Sequence, residues 1–225
     1  MRVVSLVPSV TETLFAWDVV PVAVTRFCEH PELTAVGGTK DPDVAAIVAL
    51  QPDLVVVNDE ENRREDADAL GAAGLDVHVV RIASVSDVAP AMAALAARLG
   101  LPVPDGDAVL PPAAPERMTA FVPIWRRPWM TLSRATYGSS LLEALGVTNV
   151  FGEGPQRYPE VTLAEAAARR PDVVLAPSEP YPFGERHRAE LATVAPVVLV
   201  DGQDLFWWGA RTPAALTRLG HAITG

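Results

Sequence analysis

Gln51-Pro52-Asp53-Leu54-Val55-Val56-Val57-Asn58-Asp59-Glu60 sets a Pro-Asp pair in front of an apolar strand, and it returns as Arg170-Pro171-Asp172-Val173-Val174-Leu175-Ala176-Pro177-Ser178-Glu179. Pro52 aligns with Pro171, Asp53 with Asp172 and Glu60 with Glu179, an offset of 119 positions in a chain of 225. A repeat at about half the chain length points to two similar lobes, not to a short-period solenoid.

Outward from this pair, short β-branched runs alternate with helical stretches: Val3 to Val7, Val19 to Val24, Leu54 to Val57 and Val77 to Ile82, then Ala120 to Ile124, Val173 to Ala176 and Val197 to Val200. Alternation of this kind predicts an α/β fold whose mostly parallel sheets are flanked by helices, here as two similar lobes with a cleft between them. Ser9-x-x-Glu12 and Thr162-x-x-Glu165 read as capping boxes, and Thr212-Pro213 as a cap followed by a first-turn proline. Gly74, Gly100 and Gly146 read as helix stops. Residues 1–100 are expected to form the first lobe with a connecting helix from Ser86 to Leu99, 101–116 a Pro-rich linker, and 117–225 the second lobe.

Composition narrows the function. Asp and Glu number 28 against 18 Lys and Arg, a formal charge of −10, and the single lysine is Lys40. Binding to nucleic acid rests on many basic contacts to phosphates, so that class is set aside. The lone Cys28 excludes an internal disulfide and a Cys-x-x-Cys site. No apolar run approaches the roughly 18 residues of a membrane span. The start, Met1 to Glu12, carries no signal peptide or lipobox, which assigns the chain as supplied to the cytoplasm; a removed leader would assign it outside the cell membrane. No nucleophile elbow, zinc-protease motif or phosphate loop is present, so no catalytic residue is nominated.

In open parallel sheets, ligands sit beyond the carboxyl ends of the strands. Ten of the fourteen aromatic residues fall between Trp125 and Trp208, most of them in the loops expected there and mixed with Arg and Glu, as a cleft for a bulky and partly apolar guest requires.

Several of these loops carry a resemblance to a known family. Arg2-Val3-Val4-Ser5-Leu6-Val7-Pro8-Ser9-Val10-Thr11-Glu12 and Pro52-Asp53-Leu54-Val55 resemble segments of the substrate-binding proteins of iron-siderophore and cobalamin ABC importers, the class III periplasmic-binding-protein type. Thr25-Arg26-Phe27-Cys28-Glu29-His30-Pro31, Gly37 to Asp43, Glu60 to Asp66, Trp125 to Thr131, Arg157 to Val161 and Ser178 to Phe183 resemble a signal-less branch described as helical-backbone metal receptors. The resemblance implies a binding protein, not an enzyme, that captures a metal chelate in an interlobe cleft for ABC-type uptake, with an ABC permease as partner. It implies no intrinsic cofactor, the bound guest being cobalamin, an iron chelate or a metal ion. A cytosolic carrier or sensor of the same ligands is the first alternative, and a metal-dependent hydrolase the second.

The residues expected at the ligand are Cys28, His30, Glu60, Trp125, Arg126, Glu179, Tyr181, Phe183, Trp207 and Arg211. Cys28 and His30 suit a soft or borderline metal, and equally a buried thiol with a histidine at the loop edge. His30 and His187 are the candidate metal ligands, His187 being also an ordinary histidine at a helix start. Glu60 and Glu179 read as cleft carboxylates or as helix caps, Arg126 and Arg211 as anchors for ligand anions or as partners of local acids. Of the tryptophans, some would stack on a flat macrocycle and others join the core.

Overall fold

The computed structural model describes residues 1–102 and 114–224; most of the Pro-rich stretch expected to link the lobes lies outside these. In the N-terminal part, β1 (Val3–Ser5), α1 (Pro8–Ala16), β2 (Ala23–Val24), α2 (Val44–Ala49), β3 (Leu54–Asn58), α3 (Arg64–Ala72), β4 (Val77–Val80) and α4 (Val88–Leu99) follow in order. The C-terminal part holds β5 (Met118–Phe121), β6 (Pro123–Trp125), β7 (Trp129–Thr131), α5 (Tyr137–Ala144), β8 (Val147–Asn149), β9 (Glu160–Val161), α6 (Leu163–Ala168), β10 (Val173–Pro177), α7 (Glu185–Leu191), β11 (Val197–Val200), α8 (Gly202–Phe206) and α9 (Thr212–Thr224). Two compact units result. Met1–Ile82, α4 and Trp208–Arg211 belong to the first; Ala83–Ser86, the chain from β5 to Trp207, and α9 belong to the second.

Each unit is built on a four-stranded parallel sheet, ordered β2-β1-β3-β4 in the first and β8-β5-β10-β11 in the second. The orders superimpose when β3 is matched to β10, the two strands of the repeated sequence. β1, β3 and β10 are buried along their whole length, because helices cover both faces of a parallel sheet and leave no strand position for water. The first core gathers Val4, Leu6, Ile47, Val55, Val57 and Leu70, the second Phe121, Phe151, Val174, Ala176, Phe183 and Leu191.

The Pro-Asp pair does the same work twice. Gln51 and Arg170, each just past a helix end, adopt left-handed φ values of 47° and 50°, turning the chain into the proline and the strand. Asp53 N–H then donates to Arg2 O at 2.8 Å while its Oδ2 accepts the Arg2 N–H at 2.5 Å. Asp172 N–H donates to Thr119 O at 3.0 Å, and its Oδ2 accepts both the Thr119 N–H at 2.7 Å and the Oγ1 proton at 2.8 Å. Each aspartate thus latches its strand to the start of the neighbour, where the ladder has not yet begun.

Two of the local expectations change. Ser9 is no cap: Pro8 takes the first helical position, so Val7 stands at the N-cap and Ser9 lies within the first turn. The Thr162 box is formed, with Glu165 N–H donating to Thr162 Oγ1 at 3.1 Å and Thr162 N–H to Glu165 Oε2 at 2.7 Å. The run Ala120 to Ile124 is not one strand. It breaks at Val122 into β5 of the parallel sheet and β6 of a separate antiparallel sheet, β6-β7-β9, which the repeat did not announce. Gly74, Gly100 and Gly146 do sit at helix ends with positive φ. Among the described residues no helix is long and apolar enough to cross a membrane.

Candidate functional site

The expected ligand residues divide between the units: Cys28, His30, Glu60 and Arg211 lie in the first, and Trp125, Arg126, Glu179, Tyr181, Phe183, His187 and Trp207 in the second.

In the first unit two buried asparagines shape the loops at the carboxyl ends of the strands. Asn62 Nδ2 donates to Leu6 O at 3.1 Å and Thr39 O at 3.0 Å, joining the loops after β1 and β2 to its own. Asn58 Oδ1 accepts the N–H groups of Glu60 and Glu61, each at 3.0 Å, and Asn58 Nδ2 donates to Val80 O at 3.1 Å. Lys40 Nζ reaches the Glu60 carbonyl at 2.6 Å. Glu60 is therefore held by its backbone. Sequence reasoning did not single out Asn58 and Asn62; their spacing of four at the end of an apolar strand was the available signal.

Cys28 and His30 each have partners of their own. Cys28 Sγ lies 3.2 Å from Thr11 Oγ1 and 3.4 Å from Thr25 Oγ1. The His30 ring stacks on Phe15 at 3.7 Å with a 10° interplanar angle, and its Nδ1 pairs with Glu32 Oε1 at 2.9 Å. Among the described residues no group of three or more His, Cys, Asp and Glu is arranged to hold a metal ion. Arg211 is drawn to helix α1, its Nε donating to both Glu12 oxygens at 3.0 and 2.9 Å, beside Ala210 N–H on Thr13 Oγ1 at 3.2 Å.

The second unit concentrates the aromatic residues. Trp125 and Trp129 flank the β6-β7 hairpin turn, and the loop after β10 brings Tyr181 and Phe183 against them. Trp125 meets Tyr181 edge-on at 5.7 Å, Tyr181 meets Phe183 at 4.7 Å, and Phe183 stacks on Trp129 at 5.9 Å with 8° between the planes. The roles within this wall differ. Phe183 is 6% exposed and belongs to the core cluster, so it supports the wall from behind and offers no face to a ligand. Trp125 is 44% exposed, although a tryptophan ring loses more than most side chains by staying in water.

Polar groups fix the wall. Arg126 Nε donates to Glu190 Oε2 at 2.9 Å, and that bond, with a lesser one to Tyr181, raises the guanidinium pKa further. His187 packs edge-on against Tyr181 and Phe183 at 5.4 and 5.5 Å, where burial first, then the Arg186 and Arg126 charges, hold its pKa below the ordinary histidine value. Glu179 lies against the start of α8: a Cβ on Gly202 would fall 2.5 Å from Glu179 N and 2.8 Å from Glu179 O, so glycine is what allows the two backbones to touch. Trp207 ends α8, its N–H on Gln203 O at 2.8 Å. Glu190 and Gly202 were not among the expected site residues.

No family model matches the chain. The vitamin B12-binding protein of Salmonella typhi is 25% identical over 189 residues, which cover 77% of this chain and 71% of the relative. The crystal structure of the periplasmic vitamin B12 binding protein of Vibrio cholerae covers 100% of this chain and 98% of its own, at 21% identity and a TM-score of 0.76. The fold is that of the class III periplasmic binding proteins. A periplasmic heme binding protein from Pseudomonas aeruginosa shares it at TM-score 0.77 and 19% identity, over 98% of this chain and 91% of that one. In this class III frame the aromatic wall stands beyond the carboxyl end of β10, the place that parallel sheets reserve for ligands.

Proposed function

We propose that the chain is a substrate-binding protein that captures a metal chelate of the corrinoid type and hands it to an ABC-type permease. The observation that carries this reading is the wall of Trp125, Trp129 and Tyr181, backed by buried Phe183, at the strand ends of the second unit. A flat macrocycle gains from enclosure by such rings, with a few polar groups setting its orientation. Similarity to vitamin B12-binding proteins over 77% of the chain supports the same reading.

Charge favours a corrinoid, which is rich in neutral amides, over a polyanionic iron chelate. Arg26 is committed to Asp41, Arg126 to Glu190 and Arg211 to Glu12, so a ligand carboxylate would have to displace a protein carboxylate at each, on a chain of net charge −10. Titration of the protein with cyanocobalamin, followed by tryptophan fluorescence, tests the proposal; saturable quenching is expected. Saturation by hemin without any response to cyanocobalamin would shift the reading to an iron chelate, and silence to both would end it. Passage to a permease, as opposed to service as a detached carrier, is tested by fractionating cells that express the native gene: recovery outside the cell membrane is expected, and cytosolic recovery favours the carrier.

A further inference from the structure

His187 stands third in helix α7 and turns back toward the helix start, where the N–H of Gly184, the N-cap residue, lies 3.2 Å from its Nδ1. An N–H can only donate, so in the tautomer that serves Gly184 the acceptor is Nδ1 and the ring proton sits on Nε2. That nitrogen faces the Tyr181 hydroxyl at 3.4 Å, and the Arg186 Nε–H, a second donor, is aimed at it from 3.3 Å, so a neutral ring can accept from one of the two donors and a charged ring from neither. The imidazole is 5% exposed and lies against the Tyr181 and Phe183 rings. One neutral ring therefore ties the first turn of α7 to the aromatic loop.

We propose that neutral His187 is the positioning residue of the ligand wall, and that its protonation releases Tyr181 and Phe183 and weakens ligand binding in acid. This inference rests on the wall being the ligand site. A second ring proton would occupy Nδ1, the atom that accepts from Gly184, leaving two donors facing each other at the start of the helix. It would also add positive charge at a buried place where Arg186 of α7 and Arg126 of the hairpin turn already contribute theirs. Glu190, on the next turn of α7, is the one acid that favours the charged ring, and it is bonded to Arg126. The Tyr181 hydroxyl also faces the imidazole, at 3.4 Å from Nε2. The sign follows: the folded chain holds His187 below the ordinary 6.5, so the neutral ring's contribution is complete above that value and is lost as the pH falls through the lowered one.

The test uses the full chain and two readouts. Near-ultraviolet circular dichroism, which senses ring packing, should show a reversible step as the pH falls below 6.5 in the unaltered protein. The step should vanish in His187→Asn, whose Oδ1 can take the place of Nδ1 as acceptor and cannot be protonated. Cyanocobalamin affinity should fall about fivefold or more over the same range in the unaltered protein and stay level in the variant. A step that survives in His187→Asn, or no step in either protein, overturns the inference. Should the variant not fold, the NMR titration of the His187 ring in the unaltered protein decides, a midpoint at or above 6.5 being contrary. Failure to bind cyanocobalamin at any pH counts against the functional reading alone, because the dichroism step needs no ligand.

Discussion

Arg126 and Glu190 are joined by a 2.9 Å hydrogen bond between Nε and Oε2, which ties the β6-β7 turn to α7 at the edge of the aromatic wall. The pairing keeps the guanidinium from acting as a receptor for ligand carboxylates. Glu190→Gln should therefore strengthen hemin binding by about two- to fivefold while changing cyanocobalamin binding little. Parallel fluorescence titrations of both ligands check it, and equal shifts for the two would show that the charge does not select.

Trp125 and Phe183 touch the same tyrosine yet differ in burial, so their truncation should separate binding from stability. Trp125→Ala, at a ring 44% exposed, is expected to leave the melting temperature nearly unchanged and to weaken cyanocobalamin binding about tenfold. Phe183→Ala empties a core position and should cost about 3–5 kcal/mol of stability. Denaturant unfolding set beside the titration distinguishes the two outcomes.

Gly202→Ala addresses the loop that carries Tyr181. The added methyl would meet the Glu179 backbone at 2.5 and 2.8 Å, and backbone cannot swing aside as a side-chain tip can. The loop must shift, and ligand affinity should drop about tenfold with far-ultraviolet dichroism preserved. An unaltered affinity would mean that the loop moves without consequence for the site.

Acid should also loosen the fold through its carboxylates. The Glu165 carboxyl is held under its ordinary 4.5 chiefly by the Thr162 hydroxyl, Glu185 under 4.5 by Arg188, and Asp172 under 3.8 chiefly by the Thr119 backbone N–H. Each gives stability that is complete above its unfolded pKa and lost as the pH falls through the folded one. Melting temperature should decline below about pH 4.5. In Asp172→Asn the decline should be shallower and start from a lower plateau, as differential scanning calorimetry across pH would record.

The repeated Pro-Asp strand made the architecture legible because its residues have physical jobs that cannot be moved: a left-handed residue, a proline that ends the helix, and an aspartate that latches the next strand. Those constraints are local and leave a mark in sequence. The β6-β7-β9 sheet left none, since strands of two or three residues, one beginning with Pro123, lack the length for alternation to be read. Aromatic density between Trp125 and Trp208 pointed to the loop after β10, but it could not divide faces from supports. Phe183 and Tyr181 are two residues apart in one loop, and only burial within the cluster that also holds Phe121 and Leu191 makes one of them core. His187 was visible as a histidine at a helix start; that its Nδ1 would serve Gly184 depends on a backbone bend which no side-chain pattern encodes.

Trp208–Arg211 counts with the first unit although the residues on either side of it count with the second. No single cut can therefore yield both halves whole. A fragment stopped before Trp208 would lack the Ala210 and Arg211 bonds to helix α1, and one begun at β5 would carry those four residues with nothing to clasp. Whatever ancestral doubling the matched sheets record, the halves have since become mutually dependent, each completed by residues lent from the other's stretch of chain.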